Sequence, residues 1–122
     1  MNDYEAIQET VYHYYEGYRD KDRERLEKAF ALDVAHMMGN TRNEDGQLRL
    51  WVTRMQEAIE DWVAPDYTPF EFGEGKMLSV EIFSPVGATV LFDFGGKYTE
   101  SYQLAKIEGN WKIVSKFIVN PS

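Results

Sequence analysis

The chain has 122 residues and a formal net charge of −8, with 43% hydrophobic and 15% aromatic side chains. This length predicts one domain, residues 1–122, with a core of ordinary size. The acidic charge argues against nucleic acid and anionic membrane surfaces as partners, and the lack of cysteine excludes disulfides and thiolate metal sites. No apolar run is long enough to cross a membrane and no signal peptide is recognisable, so we expect a cytoplasmic protein.

The first half of the chain is predicted to be mainly helical. Apolar residues recur at spacings of three and four over residues 4–19, with Asn2 or Asp3 as the N-cap. Asp22 can cap a second, shorter helix that follows directly. A short strand over 34–38 and a polar turn over 41–46 lead to a third helical stripe, which consists of Leu48, Trp51, Val52, Met55, Ile59 and Trp62.

The second half is predicted to be a meander of four antiparallel strands. The strands cover residues 77–83, 88–94, 98–108 and 111–119, with turns at 84–87, 95–96 and 109–110. Two-residue loops at the last two turns put Thr99 opposite Phe92 and Lys116 opposite Gln103. The face expected to meet the helices then carries Met77, Ser79, Glu81, Phe83, Ala88, Val90, Phe92, Thr99, Ser101, Gln103, Ala105, Val114, Lys116 and Ile118.

The predicted fold class is α+β, with three N-terminal helices packed on one face of a curved, mainly antiparallel sheet. The other face of the sheet also carries apolar side chains, so it needs cover as well. We expect a homodimer through this outer face. The residues predicted to lie on it are Leu78, Val80, Ile82, Leu91, Tyr102, Leu104, Ile113 and Phe117.

Several short motifs resemble the nuclear transport factor 2-like superfamily, whose members are cone-shaped, cystatin-like α+β domains. These motifs are Tyr14 with Gly17 and Tyr18, Asp22 with Phe30, Asp33 with Val34, and residues 109–114 with Lys116. The chain is most similar to the bacterial branch described as putative lumazine-binding, and the resemblance covers nearly the whole domain. Because the superfamily includes isomerases, dehydratases, cyclases, transport factors and members of no known activity, the resemblance implies a fold rather than a reaction.

Ketosteroid isomerase, a member of this superfamily, offers one reaction to compare with the sequence. It uses a carboxylate base and an oxyanion hole made by a tyrosine and a protonated aspartic acid. On the resemblance, the oxyanion tyrosine falls on Tyr14, the base on Met38 and the buried acid near Gln103. Neither a thioether nor an amide can replace those acids, so this mechanism is not expected. No residue singles out lumazine as a ligand either.

A mainly apolar pocket is predicted between the helices and the sheet. Its expected lining is Tyr14, Tyr18, His36, Met38, Trp51, Met55, Glu81, Phe92, Gln103 and Lys116. The catalytic candidates are His36 as general base, Tyr14 as donor to an oxyanion and Lys116 as electrostatic support. Alternatively, His36 is structural or exposed, the tyrosine is packed core, and Lys116 reaches water or pairs with Glu81.

Three functions fit these residues. The first is a small homodimeric domain that binds a small organic molecule in the pocket. The second is an enzyme of isomerase, dehydratase or cyclase type, doing general acid/base chemistry on a carbonyl compound. The third is a dimerisation or adaptor domain without a ligand. With two histidines, no cysteine and no phosphate-loop or nucleophile-elbow motif, we expect no metal and no cofactor.

Overall fold

The structure is a computed structural model and describes residues 1–120. The helices and strands in this range are α1 Asp3–Asp20, α2 Arg23–Ala29, β1 His36–Arg42, β2 Leu48–Arg54, α3 Met55–Val63, β3 Lys76–Ser84, β4 Gly87–Phe94, β5 Tyr98–Ile107 and β6 Asn110–Val119. Over residues 1–120, three helices therefore accompany a six-stranded sheet of order β2-β1-β6-β5-β4-β3. Neighbouring strands are antiparallel except β1 and β6, so the predicted α+β class is confirmed.

The first two helices begin where the sequence predicts. Asn2 caps α1 through a capping box: its side chain accepts from the Glu5 N–H at 2.8 Å, and the Glu5 carboxylate accepts from the Asn2 N–H. Lys21 ends α1 in the left-handed region, with φ 53°. Asp22 caps α2, since its side chain accepts from the Arg25 N–H at 3.2 Å.

The predicted third helix is wrong over its first half. Leu48, Trp51 and Val52 belong to β2, which forms a hairpin with β1, and α3 begins only at Met55. The spacing of these residues fits a helix, but Leu48, Leu50 and Val52 also alternate as a strand requires. Pairing prevails because residues 48–54 form a ladder with all of β1, which gives backbone groups of both segments hydrogen-bond partners.

The predicted register between β4 and β5 is wrong by one residue. Phe92 pairs with Glu100 rather than with Thr99, because the loop has three residues, 95–97, instead of two. Gly95 takes a φ of 64°, a left-handed conformation that favours glycine. Since a slip of one residue moves every side chain to the opposite face, the even-numbered residues of β5 face the helices.

The loop between β5 and β6 also starts one residue earlier than predicted. Ile107 pairs with Asn110, so Glu108 and Gly109 form the loop. Their φ angles are 50° and 81°, and two positive values in succession are typical of the tight turn that matches the twist of a hairpin.

A β-bulge at Val114 changes the face presented by the second half of β6. The ladder pairs on either side of it are Leu104 with Ile113 and Gln103 with Ser115. Because one extra residue is inserted, Ile113 and Lys116 both face the helices although they are three positions apart. Lys116 was predicted on this face, and the bulge keeps it there.

The two faces of the sheet therefore differ from the predicted lists. Val80, Ile82, Tyr102, Leu104 and Ile113 were assigned to the outer face, but pairing puts them on the side of the helices. Ser79, Glu81, Ser101 and Gln103 were assigned to the inner face and are instead exposed on the outer one. Phe117 and Leu91 do lie outside, joined there by Met38, Leu48, Leu50 and Val52.

Candidate functional site

Four polar side chains meet in the core between α1 and the sheet, and together they form the charged cluster: Tyr14, Glu100, Tyr102 and Lys116. Each is at most 2% exposed. Oε1 of Glu100 accepts hydrogen bonds from the hydroxyls of Tyr14 at 3.0 Å and Tyr102 at 2.8 Å. Nζ of Lys116 lies 3.8 Å from Oε2 of the same carboxylate. The carboxylate of Glu100 therefore accepts two hydrogen bonds and lies beside a cation.

Three elements bring the charged cluster together. Tyr14 comes from the buried stripe of α1. Glu100 and Tyr102 are two residues apart on β5, and hence on one face. Lys116 comes from β6 and is the direct ladder partner of Tyr102. The arrangement thus depends on the three-residue loop at 95–97 and on the bulge at Val114.

Lys116 is surrounded by a methionine thioether and by aromatic rings. Its Nζ lies 3.2 Å from Sδ of Met37, 4.7 Å from the ring centroid of Tyr14 and 5.0 Å from that of Trp62. Ring faces attract a cation, whereas a thioether is a weak acceptor. At 3.8 Å the distance to Glu100 is longer than a direct N–H···O hydrogen bond. The ammonium is therefore held mainly by charge and ring faces.

Burial shifts the pKa values of the charged cluster away from the charged forms. Desolvation raises the pKa of Glu100, against the opposing effects of Lys116 and the two tyrosine hydroxyls. Desolvation also lowers the pKa of Lys116, against the attraction of Glu100. The pKa values of Tyr14 and Tyr102 are well above the ordinary value because of burial and the adjacent carboxylate. Both hydroxyls therefore remain donors at neutral pH.

Aromatic rings fill the space around the charged cluster. The ring centroid of Tyr14 lies 5.3 Å from those of Phe30 and Phe94, 5.8 Å from that of Tyr102 and 6.1 Å from that of Trp62. These are contact distances for aromatic pairs. In the structure, side chains occupy the region in which the sequence predicts a hollow.

The ten residues predicted to line a pocket divide into two groups. Tyr14, Tyr18, Met55, Phe92 and Lys116 are buried in the core, and Trp51 is half-buried on β2. His36, Met38, Glu81 and Gln103 are exposed on the outer face of the sheet, so the prediction that they line the interior is wrong. Their predicted positions depend on the register of the sheet and on the face of β1, and the structure differs from the prediction in both.

The predicted catalytic arrangement of His36 and Tyr14 is also wrong in its geometry. His36 is exposed, with Nδ1 2.7 Å from the carbonyl oxygen of Val34, whereas Tyr14 is buried on the other side of the sheet. The two side chains share no cavity and cannot act on one substrate. Of the three catalytic candidates, Tyr14 and Lys116 do meet.

The sequence prediction missed Glu100 and Tyr102. Lys116 pairs with Glu100, not with Glu81 as considered, and a buried carboxyl rather than the amide of Gln103 lies beside Tyr14. One signal could have pointed to it. Tyr98, Glu100, Tyr102 and Leu104 alternate along one strand, and a lone acid in an otherwise apolar series is expected to face the core with a partner.

An irregular segment, residues 64–75, connects α3 to β3, and we call it the strap. It is fixed to α1 by side chains spaced three residues apart. Their hydroxyls and ammonium donate to strap carbonyl oxygens: Tyr12 to Gly75 at 3.0 Å, Tyr15 to Gly73 at 2.7 Å, and Lys21 to Ala64 and Tyr67 at 2.6 Å each. The Tyr18 hydroxyl lies 2.6 Å from that of Tyr67 and accepts from the Phe70 N–H at 3.3 Å.

The strap covers one end of the aromatic core. The rings of Phe70 and Phe72 pack on Tyr18 and Phe94, with centroids 5.0–5.9 Å apart. A groove of about 720 Å³ runs along its outer side, lined by Tyr15, Arg19, Pro69, Phe70, Glu71, Phe72, Gly73 and Glu74. Movement of the strap would therefore open the core from this groove.

Within 1–120, no three His, Cys, Asp or Glu side chains lie close enough to hold a metal ion. No helix in the same range is long and apolar enough to cross a membrane.

Comparisons with known proteins give a family and a fold. The sequence profile of the family described as putative lumazine-binding matches residues 2–118. An NTF2-like protein of unknown function from Shewanella baltica OS155 is 24% identical, with a TM-score of 0.73 over 95% of this chain and 91% of that one. No curated protein matches the sequence.

Two other solved structures have the same fold. An NTF2-like protein of unknown function from Methylobacillus flagellatus KT is 18% identical, with a TM-score of 0.73 over 98% of this chain and 93% of that one. A ketosteroid isomerase-like protein from Erwinia carotovora atroseptica SCRI1043 is 16% identical, with a TM-score of 0.69 over 100% and 99%. At these identities the similarity concerns the fold alone.

Proposed function

Because the chain belongs to the family described as putative lumazine-binding, with the NTF2-like fold, we propose that it binds a small organic molecule in its core, at the charged cluster. The observation that carries the proposal is the pair Glu100 and Lys116, the two charged side chains that are buried among residues 1–120, each at most 2% exposed. Enclosed charges with shifted pKa values are concentrated at functional sites.

A contribution to stability is a weak explanation for this pair. Removing two charges from water costs several kcal/mol per ion, and apolar replacements of buried ion pairs are often neutral or stabilising. Here the distance of 3.8 Å between Nζ of Lys116 and Oε2 of Glu100 is too long for a direct hydrogen bond. A pair that stabilises the fold so poorly is better explained by recognition of a polar group on a ligand.

The surroundings favour a flat organic body attached to that polar group. Tyr14, Phe30, Trp62, Phe94 and Tyr102 offer ring faces and edges next to the charges. Since these rings are in contact, a ligand enters only if some of them move. The strap contains no helix or strand and is bound to α1 through side chains, so we propose the strap as the entrance.

We also propose that the chain forms a homodimer through the outer face of the sheet. Leu48, Leu50 and Val52 on β2 are 50%, 72% and 62% exposed, and Met38 and Phe117 lie beside them on the same face. A contiguous apolar surface of this kind needs cover by another protein surface. The same observation favours the second candidate function, an adaptor domain that binds another protein here instead of a ligand in the core.

Ligand binding is tested by a thermal shift assay and native mass spectrometry with lumazine, benzoate and cinnamate as probes. The control is the double variant Glu100→Gln with Lys116→Met, which keeps the size of both side chains but removes both charges. A probe at 100 times its Kd stabilises the wild type by about 2.7 kcal/mol, so Tm rises by several degrees, and the control shows no shift. Equal shifts in both proteins, or none with any probe, would contradict the proposal.

A further inference from the structure

The carboxylate of Glu100 lies among two hydroxyl donors and an ammonium that come from separate residues. From this arrangement we infer that Tyr14, Tyr102 and Lys116 form a receptor for a carboxylate, which the side chain of Glu100 fills in this structure. The inference rests on the proposed function and names the chemical class of the ligand, an organic acid with a flat apolar body.

The donors of the receptor come from three separate elements. The hydroxyl of Tyr14 comes from α1, that of Tyr102 from β5, and the ammonium of Lys116 from β6. Both hydroxyls point at a single oxygen, at 3.0 Å and 2.8 Å. Two preformed donors on one oxygen, next to a cation and away from water, bind a negatively charged oxygen strongly.

Glu100 satisfies this receptor incompletely. Its backbone is fixed in β5 by pairing with Phe92 on one side and Ile118 on the other. Its second oxygen therefore stays 3.8 Å from Nζ of Lys116, beyond hydrogen-bond distance. The carboxylate of a free molecule has no such tether and can contact both hydroxyls and the ammonium at once.

Charge balance defines what happens to Glu100 when a ligand enters. Two carboxylates beside one ammonium would repel each other. Glu100 therefore leaves the receptor as the neutral acid after taking a proton from solvent, and the ligand remains as the anion paired with Lys116. No covalent bond forms or breaks apart from this proton transfer.

Chemical rescue tests the receptor separately from ligand binding by the wild type. Glu100→Ala removes a CH₂–COO⁻ group, which acetate matches in size and charge. We expect acetate to raise the Tm of this variant by several degrees in a saturable manner, while acetamide, its neutral analogue, and chloride do not. Glu81→Ala, which removes an exposed glutamate from the outer face, should not respond to acetate.

Lys116→Met added to Glu100→Ala provides the second control. Without the ammonium, acetate should give at most a small part of the rescue. If Glu100→Ala is unfolded in chloride, the inference predicts that acetate, and not acetamide, restores the circular dichroism spectrum of the folded chain. Failure of acetate in both measurements, or an equal effect of acetate and acetamide, would overturn the inference.

The two proposals fail in distinguishable ways. If acetate rescues Glu100→Ala but benzoate and the other probes do not bind the wild type, the receptor exists and the proposed ligand function does not. If benzoate binds the wild type and its neutral analogue benzamide binds with the same affinity, ligand binding stands and the carboxylate receptor is excluded. Benzamide, compared with benzoate on the wild type, reports whether the negative charge of the probe matters.

Discussion

Glu100 and Lys116 lie diagonally across the ladder between β5 and β6, where Tyr102 is the direct partner of Lys116. The diagonal separates the side chains enough for the Tyr102 hydroxyl to bond Oε1 of Glu100 while the ammonium approaches Oε2. Diagonal neighbours are still within reach of long side chains. The carboxylate of Glu100, the ammonium of Lys116 and the phenol of Tyr102 therefore meet at one place on the sheet.

Removing one partner of this pair should destabilise the chain strongly. Glu100→Gln keeps an acceptor for the two tyrosines but leaves Lys116 buried without its counter-charge, and such a break costs about 3–5 kcal/mol. The double variant with Lys116→Met should recover that loss and equal or exceed the wild type by up to about 4 kcal/mol. Urea denaturation measures the free energies of unfolding. A double variant as unstable as Glu100→Gln alone would show that the pair stabilises the fold.

Lys21→Met should loosen the strap without disturbing the sheet. It removes the two bonds from Nζ to the carbonyl oxygens of Ala64 and Tyr67, and hydrogen bonds from a charged donor contribute about 1.5–3 kcal/mol each. We expect faster amide hydrogen exchange over residues 64–75 and unchanged exchange in β5 and β6. Arg23→Met removes an exposed ion pair with Glu60 and is the matched control, with no effect on the strap. Uniformly faster exchange throughout Lys21→Met would contradict a local role.

Deleting Val114 should be tolerated. The deletion removes the extra residue of the bulge, so Ile113 still pairs with Leu104, Ser115 with Gln103, and Lys116 still faces the helices. We expect a loss within the ~0.5–3 kcal/mol range of an ordinary point mutation, measured by urea denaturation. Deleting Leu91 from a regular part of β4 reverses the faces of the residues after it, and this control should not fold. Unfolding of both variants would show that the bulge itself is required.

Asp3→Asn should weaken the attachment of the start of α1 to β6 in a pH-dependent manner. The pKa of Asp3 is lowered mainly by the hydrogen bond from Nε1 of Trp111, at 3.1 Å, and also by the one from Nζ of Lys106, at 3.0 Å. A lowered pKa stabilises the fold above the ordinary value of 3.8, and this stabilisation is lost as the pH falls below it. The Tm advantage of the wild type should therefore be full at pH 6 and decline below about pH 4. A constant difference down to pH 2 would mean that the charge of Asp3 is not needed.

Leu50→Glu with Val52→Glu should abolish self-association. Both residues are more than 60% exposed within one chain, so the substitutions leave the core intact and act only on a partner surface. We expect analytical ultracentrifugation to show a dimer for the wild type and a monomer for the variant. Val86→Glu, at a residue 59% exposed in the turn between β3 and β4, is the control and should stay dimeric. A monomeric wild type would remove the proposed dimer.

The features of the fold that depend on short-range signals could be predicted from the sequence. The capping residues Asn2 and Asp22 act through groups three positions away, and the period of α1 is repeated over five turns. The four strands of the second half were also predicted, because their turns contain Gly and Pro.

Register and strand identity could not be predicted in the same way. Whether the loop after Phe94 has two or three residues depends on backbone angles at Gly95 and Gly96, which either loop permits. The spacing of Leu48, Trp51 and Val52 fits both a helix and a strand, and only the presence of β1 decides between them. One misplaced residue in a loop was enough to exchange Glu100 with Gln103, and with it the chemistry assigned to the interior.

The fluorescence of Trp62 can report on the interior of this protein. Its indole lies 5.0 Å from the ammonium of Lys116 and stacks on Tyr14, so its emission spectrum depends on the charge and packing at that point. The other two tryptophans are on β2 and β6, and replacing them with phenylalanine would leave Trp62 as the single tryptophan of the chain. A ligand that binds beside Lys116 would then shift the fluorescence emission of Trp62, so its binding could be followed without a label on the chain.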